Sequence, residues 1–301
     1  MSKAVTVAST TRVLKSLIST VQQLFPVALA DDVWDNTGLL LESPVIAPTT
    51  NRARVLLTID LTTAVVDEAL QKKALLIVAY HPIIFRPLKQ ITQSNTQQYS
   101  LLRLAHAGIS VYSPHTAVDA QVGGMNDWLA DVASRGQYIS TKVIQPSKND
   151  PSGGTGFGRL ITLSEGMYTV RNIIENVKSG LHLKNVQVAL ADRHQDVDSA
   201  TISTIAICAG SGGSVLSNID ADLWFTGELS HHEVLALRER GISAIICGHT
   251  NTERGYLTTG FAPKLHALIK SNTETLDANH YEKYDIEVMV SEADRDPITV
   301  F

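Results

Sequence analysis

Two short motifs in this chain place a histidine four residues before a carboxylate. The sequence reads His-Thr-x-x-Asp at residues 115–119 and His-Thr-x-x-Glu at residues 249–253. Side chains four residues apart lie on one face of a helix, so each motif can present an imidazole and a carboxylate together. Neutral imidazoles and carboxylates are typical ligands of divalent metal ions. The repeated spacing therefore predicts that the chain holds metal.

A further histidine, His81, follows an apolar segment that matches a strand, as both motifs do. Loops at the carboxyl ends of parallel strands commonly bind ligands, so we predict that His81, Asp119, His249 and Glu253 bind the metal. Two carboxylates shared among several histidines suit two ions about 3.5–4 Å apart, which can activate a water between them. Zn, Fe, Mn and Ni all accept such ligands, so the sequence leaves the metal unassigned.

Two other histidines are candidates for proton transfer or for a hydrogen bond to a metal ligand. His115 opens the first motif, and His231 begins a His-His pair that follows Thr-Gly-Glu at a predicted strand end. For the pair, a polar cluster at a helix N-terminus is an equally good interpretation. We assign neither histidine firmly to a metal.

The glycine-rich stretch Gly-Ser-Gly-Gly at 210–213 lies between a predicted strand and a predicted helix. Its backbone amides could bind an anion at the helix start. It lacks the Gly-Lys-Ser/Thr ending of a P-loop and the G-x-G-x-x-G spacing, so a tight turn is the favoured interpretation. The stretch Trp-Asp-Asn-Thr-Gly at 34–38 is typical of a turn and indicates no chemistry by itself.

Strands and helices alternate along the chain, which is typical of βαβ units in an α/β fold. The hydrophobic patterns predict strands over 55–59, 75–79, 109–112, 159–163, 186–190 and 286–290. Helices are predicted over 11–25, 62–72, 97–107 and 169–178. Thr62 or Thr63 would cap the second of these helices, and Gly108 would end the third.

An internal repeat relates the two halves of the chain. In each half a strand, a helix and a strand lead to histidine, and a later Gly-Ile-Ser segment leads to the His-Thr-x-x-carboxylate motif. We therefore predict two similar α/β lobes related by a pseudo-twofold axis, with the metal site in the cleft between them. The first lobe would span 1–130 and the second 131–301. A Pro- and Gly-rich loop or linker would lie at about 145–158, and the final strand can pair back to the first lobe.

The composition favours a folded protein without a nucleic-acid or membrane partner. Of 301 residues, 44% are hydrophobic and 18% charged, and the formal net charge is -5, so the basic surface of a dedicated nucleic-acid binder is missing. No apolar run reaches the roughly 18 residues of a membrane-spanning helix. Cys208 and Cys247 lie in apolar segments and are predicted to be buried free thiols, which favours a reducing compartment such as the cytoplasm.

The N-terminal residues allow a second interpretation of the compartment. They contain Lys3, Arg12 and Lys15 but no acid before Asp31, and they are rich in Ser and Thr, as mitochondrial transit peptides are. The favoured alternative is that residues 11–25 form the first amphipathic helix of the fold.

Five ordered motifs resemble those of the Nif-three-like family, also called the GTP cyclohydrolase type-two-like family. They are Trp-Asp-Asn-x-Gly-Leu at 34–39, Tyr-His-Pro-x-x-Phe at 80–85, His-Thr-x-x-Asp at 115–119, Gly-Glu-x-Ser-His-His at 227–232 and His-x-x-x-Glu-Arg-Gly at 249–255. The tail Val-Ser-Glu-x-Asp-Arg-Asp-Pro at 290–297 resembles the eukaryotic branch of that family. The resemblance therefore covers nearly the whole chain.

The resemblance implies an intertwined two-lobe α/β fold with a dinuclear metal centre in the cleft, often in ring-like homo-oligomers. The family's ligand pattern is His-His, Asp, His and Glu, which His81, Asp119, His249 and Glu253 match. Tyr80 stands at the position of the first His, and a neutral phenol, with an unperturbed pKa of about 10, is a poor ligand. Either a metal lowers that pKa, or one ion binds more weakly, or another histidine, His115 or His231, compensates.

The family name implies opening of a guanine nucleotide ring, so the first hypothesis is a metal-dependent hydrolase of a small nucleotide-like or phosphorylated substrate. Asp119 and Glu253 would hold or bridge the metals, with His81 and His249 as terminal ligands. The second hypothesis is a regulatory, partner-binding protein with structural metals, because the original family name reflects interaction with a transcriptional coactivator. A metal chaperone or insertase is the third.

Overall fold

The chain folds into a mixed α/β structure built on two main sheets. A computed structural model describes residues 7–45, 52–275 and 285–300. The strands are β1 (Gly38–Leu41), β2 (Arg52–Thr58), β3 (Leu76–Ala79), β4 (Ser110–Ser113), β5 (Ser140–Pro146), β6 (Gly156–Thr162), β7 (Tyr168–Thr169), β8 (Gln187–Ala189), β9 (Thr201–Ile202), β10 (Thr204–Ser211), β11 (Leu223–Glu228), β12 (Ser243–Ile246) and β13 (Asp285–Val290).

Helices alternate with most of these strands, as βαβ connections require. The α-helices are α1 (Val7–Leu24), α2 (Thr63–Lys72), α3 (Thr96–Ala107), α4 (Thr116–Ala120), α5 (Met125–Ser134), α6 (Val170–Gly180), α7 (Gly213–Leu216), α8 (His231–Glu239), α9 (Arg254–Tyr256) and α10 (Ala262–Thr275). Short 3-10 helices cover Val27–Leu29, Asp192–His194 and Thr250–Thr252, and a π-helical turn covers Leu257–Phe261.

The chain divides into two compact units, and each unit is discontinuous in sequence. The first comprises Met1–Ala117 and Leu257–Arg295, and the second comprises Val118–Tyr256 and Asp296–Phe301. This division differs from the predicted lobes, 1–130 and 131–301. In the second unit, Asn126 of α5 accepts a hydrogen bond from the Ala209 amide of β10 at 2.9 Å. In the first, Asn272 of α10 donates to Thr20 of α1 at 3.2 Å.

The sheet of the first unit has the order β1-β4-β3-β2-β13. Strands β4, β3, β2 and β13 run parallel, and β1 is antiparallel at the edge. The final strand therefore returns to the first unit. The central strands are nearly continuous apolar runs, which is typical of strands covered on both faces. Leu56, Ile77 and Val111 from three of them pack against Val65 and Val66 of α2.

The main sheet of the second unit has the order β5-β6-β10-β11-β12-β8. Strands β10, β11 and β12 run parallel, whereas β6 and β8 are antiparallel neighbours on either side and β5 extends the sheet beyond β6. Ala206, Trp224 and Ala244 of the parallel strands pack with Leu237 of α8. A separate two-stranded sheet pairs β7 with β9.

The internal repeat predicted from the sequence is present in the strand order. Each unit has a set of three parallel strands, β2–β4 in the first and β10–β12 in the second. In each set the last strand has an antiparallel neighbour, which is β1 beside β4 and β8 beside β12. The α/β fold with two similar sheets is therefore confirmed. The pseudo-twofold axis and the cleft between lobes stay predictions.

The Pro- and Gly-rich stretch at about 145–158 is part of a β-hairpin instead of a linker between lobes. Strands β5 and β6 pair antiparallel through Gln145 with Phe157 and Pro146 with Gly156. Asp150 closes the connecting turn, because its carboxylate accepts from the amides of Ser152 and Thr155. Of the predicted loop or linker, residues 147–155 form the loop at the hairpin tip.

Several local predictions are confirmed at the ends of the helices. Thr62 caps α2 and accepts from the Val65 amide, and Gly108 ends α3 with φ +82°. Helix α1 buries Val13 and Leu17 to 1% exposure or less, as the amphipathic-helix interpretation of the N-terminal residues requires. Within the described parts of the chain, none of the helices combines the length and the apolar character needed to cross a bilayer.

Candidate metal centre

His249 and Glu253 lie side by side after β12 in the second unit. His249 precedes the 3-10 turn Thr250–Thr252, and Glu253 follows it, so the turn sets their spacing. His249 Nε2 lies 3.4 Å from Glu253 Oε1, and the glutamate side chain is only 2% exposed. Two ligands at about 2.1 Å from one tetrahedral ion are about 3.4 Å apart. The predicted ligand pair therefore fits a divalent metal ion.

The orientation of His249 is fixed from the other side of its ring. Glu228, the last residue of β11, places Oε2 2.9 Å from His249 Nδ1. Strands β11 and β12 are parallel neighbours, so their carboxyl ends bring the two side chains together. With Nδ1–H donated to the carboxylate, Nε2 carries the lone pair that a metal needs, which is the usual arrangement for a ligating histidine. Nε2 and the Glu253 carboxylate are thus suited to hold an ion.

Two glycines accommodate this pair. Gly210 in β10 has φ +59°, and a Cβ there would lie 2.8 Å from both Glu253 Oε1 and His249 Nε2. Gly227 in β11 lies so close to the segment that follows β12 that its Cβ would meet the His249 Cα at 2.9 Å. Any larger residue at these positions would displace the histidine or fill the space beside both ligand atoms.

Asp119 lies in α4, and the boundary between the units falls within that helix, so Asp119 belongs to the second unit and His115 to the first. The Asp119 carbonyl accepts from Asn126 at 3.1 Å. Burial, followed by the charges of Asp119 and Glu253, raises the pKa of the Cys208 thiol. The charges of both predicted carboxylate ligands therefore act on the same buried thiol of the second unit. Cys208 and Cys247 are buried and free, as predicted.

In the first unit, His81 is held in the same way as His249. It follows β3, and its Nδ1 lies 2.9 Å from Oδ1 of Asp60, which follows the neighbouring parallel strand β2. The His81 amide also donates to the Ile59 carbonyl at 3.1 Å. The His81 side chain is 22% exposed. The backbone and one ring nitrogen are thus fixed, and Nε2 is the nitrogen suited to a metal.

His115 is paired with a buried carboxylate in the first unit. Its Nδ1 lies 2.6 Å from Asp35 Oδ1, and the Asp35 side chain is 1% exposed. Burial alone would raise the pKa of Asp35, but hydrogen bonds from His115, Thr116 and the Asn36 amide, with the charge of His115, lower it. His115 has φ +32°, a backbone conformation that costs about 1–3 kcal/mol outside glycine. The contacts to Asp35 hold it there.

The remaining predicted site residues occupy contrasting places. Tyr80 is 2% exposed, and its ring packs 5.0 Å from that of His81 and 5.4 Å from that of His115, centroid to centroid. His231 is exposed in the first turn of α8, 5.5 Å from the His232 ring. The Ser230–Glu233 capping box that starts α8 supports the helix N-terminus interpretation of this pair.

Sequence reasoning gave no role to Asp35, Asp60 or Glu228, the three carboxylates that hold the histidines. Two of them stand inside motifs quoted for the family resemblance, Trp-Asp-Asn and Gly-Glu-x-Ser-His-His. Asp60 follows the predicted strand at 55–59 directly, at the same sheet edge as His81. An acid at one strand end beside a histidine at the next is the signal that could have identified Asp60 and Glu228.

The glycine-rich stretch at 210–213 ends β10 and begins α7, with one residue between them, and two of its amides bond within the protein. The Gly210 amide donates to Thr252 Oγ1 at 2.9 Å, and the Gly212 amide donates to Thr226 Oγ1 at 3.1 Å. The Glu233 carboxylate also packs against Gly213. An acid at that position disfavours the alternative interpretation as an anion site.

Known proteins resemble this chain over almost its full length. The family model described as Duf34/NIF3 (NGG1p interacting factor 3) matches residues 13–297. The chain is 47% identical over 293 residues to the protein NIF3 homolog of Schizosaccharomyces pombe, covering 97% of this chain and 99% of that protein. It is 37% identical over 308 residues to NGG1-interacting factor 3 of Saccharomyces cerevisiae, covering 100% of both.

Solved structures of lower identity share the fold. A Bacillus cereus protein related to NIF3 matches with a TM-score of 0.77 and 20% identity, over 95% of this chain and 98% of that one. Reduced HcgD from Methanocaldococcus jannaschii matches with a TM-score of 0.68 and 21% identity, over 91% and 96% respectively. The family model and the eukaryotic relatives together show that the chain belongs to the NIF3 family, in its eukaryotic branch.

Proposed function

We propose that the protein binds two divalent metal ions through His81, Asp119, His249 and Glu253. The observation that carries the proposal is the 3.4 Å approach of His249 Nε2 to the buried Glu253 carboxylate, with the other ring nitrogen held by Glu228. His81 is oriented in the same way, because its Nδ1 faces the Asp60 carboxylate. Family membership supports taking the four residues together.

We infer that the metal serves hydrolysis of a small nucleotide-like or phosphorylated substrate, a ring-opening reaction of the GTP cyclohydrolase kind included. Bound divalent ions would supply Lewis-acid activation of water and of the substrate. His115 is the candidate to move a proton through Nε2, because the buried Asp35 carboxylate at Nδ1 fixes the orientation of its ring. His231 is a second candidate for that role, and Tyr80 a weak additional ligand.

Elemental analysis of purified protein, not treated with chelator, tests the metal proposal. We expect about two equivalents of metal per chain, and at least one equivalent lost in Glu253→Gln and in Asp119→Asn, since each removes an anionic ligand. Glu239→Gln, at an exposed residue of α8, is the matched control and should keep the wild-type content. Less than about half an equivalent in the wild type, unchanged in both variants, would overturn the proposal.

Turnover separates the hydrolase from a structural metal site. Metal-loaded protein is screened against nucleotides and phosphoesters, and Glu253→Gln should abolish any hydrolysis found while remaining folded by circular dichroism. Hydrolysis that Glu253→Gln retains at the wild-type rate would exclude this site as its source. Sedimentation of the same preparation tests the homo-oligomer that the family resemblance implies.

A partner-binding function is the second candidate, because one relative is named NGG1-interacting factor 3. If the metals are structural, chelation should lower the melting temperature and weaken partner capture together, with no substrate found. A metal chaperone would instead exchange its metal readily with a competing ligand. Partner capture that persists undiminished after complete metal removal would count against the structural-metal version.

A further inference from the structure

The tail at 291–298 has no part in the function proposed above, although it carries the Ser-Glu-x-Asp-Arg-Asp-Pro sequence. It follows β13, and its first residues are fixed by one carboxylate of α2. Glu68 accepts from the Ser291 hydroxyl, from the Glu292 amide at 3.0 Å and from the Ala293 amide at 3.2 Å. Because the start of the tail is anchored, the acids that follow occupy defined positions.

Asp294 acts on the backbone that carries His81, and it does so within the first unit. It is 8% exposed, and its Oδ2 accepts from the Ile59 amide at 2.9 Å. The Ile59 carbonyl in turn accepts from the His81 amide at 3.1 Å. Asp60, the next residue, holds the His81 ring at Nδ1. Ile59 thus links the tail carboxylate to the backbone of His81, and the adjacent Asp60 holds the His81 side chain.

Asp296 acts on the turn that carries His249 and Glu253, within the second unit. Its Oδ2 accepts from the Thr250 hydroxyl at 2.7 Å, and Thr250 is 5% exposed. Thr250 directly follows His249, and its carbonyl accepts from the Glu253 amide at 3.1 Å. The Asp296 carboxylate therefore fixes the residue on which the spacing of the ligand pair depends.

We propose that the tail at 291–298 is a positioning element for the metal ligands, with Asp294 setting His81 and Asp296 setting the His249–Glu253 turn. This inference rests on the proposed function, because it assigns the tail to that same site. Asp294 accepts from the amide of Ile59, whose carbonyl accepts from His81, and Asp296 accepts from the hydroxyl of Thr250, which follows His249. Removing residues that orient metal ligands typically changes metal affinity about 10- to 100-fold.

Cobalt binding tests the proposal, because the visible absorption of Co²⁺ reports its ligand geometry as well as its affinity. We expect Asp296→Ala and Asp294→Ala each to bind Co²⁺ about tenfold more weakly than the wild type, with altered absorption bands. Asp294→Asn should restore the wild-type spectrum, because its amide oxygen can still accept from Ile59. A merely structural contribution would lower the melting temperature and leave the spectrum unchanged.

Glu292→Ala is the matched control, since it removes one charge from the same tail at a side chain that is 87% exposed. It should bind Co²⁺ as the wild type does. If Asp296→Ala fails to fold, Thr250→Val tests the role of Asp296 instead. It removes the hydrogen bond from Thr250 to Asp296 and also the one that Thr250 accepts from Arg254. If Asp294→Ala, together with Asp296→Ala or its substitute Thr250→Val, bound Co²⁺ with wild-type affinity and spectrum, this inference would be overturned and the proposed function would stand. A wild-type protein that binds no Co²⁺ would overturn it together with the proposed function.

Discussion

Gly210 lies beside both candidate ligand atoms, and its lack of a side chain leaves space next to them. In Gly210→Ala the new methyl group would lie 2.8 Å from both His249 Nε2 and Glu253 Oε1, so both must move. Alanine at φ +59° would also cost about 1–2 kcal/mol of stability. We expect metal affinity to fall at least about tenfold, measured by competition with a chromophoric chelator.

Gly166→Ala is the control that separates these two effects. Gly166 has φ +70°, and nothing lies within 4 Å of a Cβ built there, so the substitution carries similar backbone strain without touching a ligand. It should lower the melting temperature comparably and leave metal affinity unchanged. Equal losses of affinity in both variants would mean that strain, and not the space beside the ligands, controls binding.

The approach of His249 to Glu253 could be predicted from the sequence more directly than the approach of Glu228 to the same histidine. His249 and Glu253 are four residues apart, and one 3-10 turn brings their side chains together. Glu228 reaches the same histidine from 21 residues away, and only because β11 and β12 are neighbours in register. A single sequence contains the first relationship directly, whereas the second depends on which strands pair.

At the scale of elements, Glu68 joins α2 to the segment after β13. Burial alone would raise its pKa, but the Lys72 ammonium, the Ser291 hydroxyl and two tail amides lower it to about 2, from an ordinary 4.5. Because the unfolded chain takes up the proton more readily, this carboxylate stabilises the fold above about pH 4.5 and ceases to do so as the pH falls toward 2. We expect the free energy of unfolding to decrease across that interval.

Glu68→Gln should flatten this acid dependence and cost about 2 kcal/mol at pH 6, since it removes hydrogen bonds to a charged group. Urea unfolding at pH 6 and pH 3 measures both effects. Glu175→Gln on α6 is the control: Glu175 is 54% exposed and lies 3.7 Å from Lys178, and such surface pairs contribute little. A Glu68→Gln protein with the full wild-type acid dependence would contradict the assignment.

The hairpin of β5 and β6 shows why element boundaries were harder to predict than element types. Pro146, Gly156 and Gly158 suggested a loop or linker, yet all three lie in paired strands. Gly156 has φ +145°, and a Cβ there would lie 2.2 Å from the Gln145 carbonyl, so the pairing itself requires glycine. The same residue type marks a loop or a close strand contact, and only the partner strand distinguishes them.

At the scale of the whole chain, the main sheets of the two units differ in whether their strands come from one continuous segment of the sequence. The six-stranded sheet of the second unit lies entirely within Val118–Tyr256, whereas the first unit needs β13 and α10 from the far end of the chain. The sequence repeat predicted two similar sheets, but it could not show that α10, which lies outside the repeat, packs on α1.

We expect a fragment of residues 118–256 to unfold cooperatively on heating, because it carries a complete sheet and core. A fragment of residues 1–117 should not, because β2 would be left as an open edge. Joining residues 257–300 to the fragment of residues 1–117 through a flexible linker should restore a cooperative transition, measured by circular dichroism. A cooperative transition in 1–117 alone would show that β13 and α10 are dispensable for that unit.

The pairing of β2 with β13 also has a consequence for synthesis. Arg52 leaves the ribosome 233 residues before Asp285, its partner in the sheet. At about 5–20 residues per second, this separation corresponds to roughly 10–50 seconds of translation. During that interval the six strands of the later-encoded sheet are all available, while β2 of the first has no neighbour on one side. The nascent chain is therefore expected to complete the six-stranded sheet first and to rely on chaperones until the last strand of the other sheet arrives.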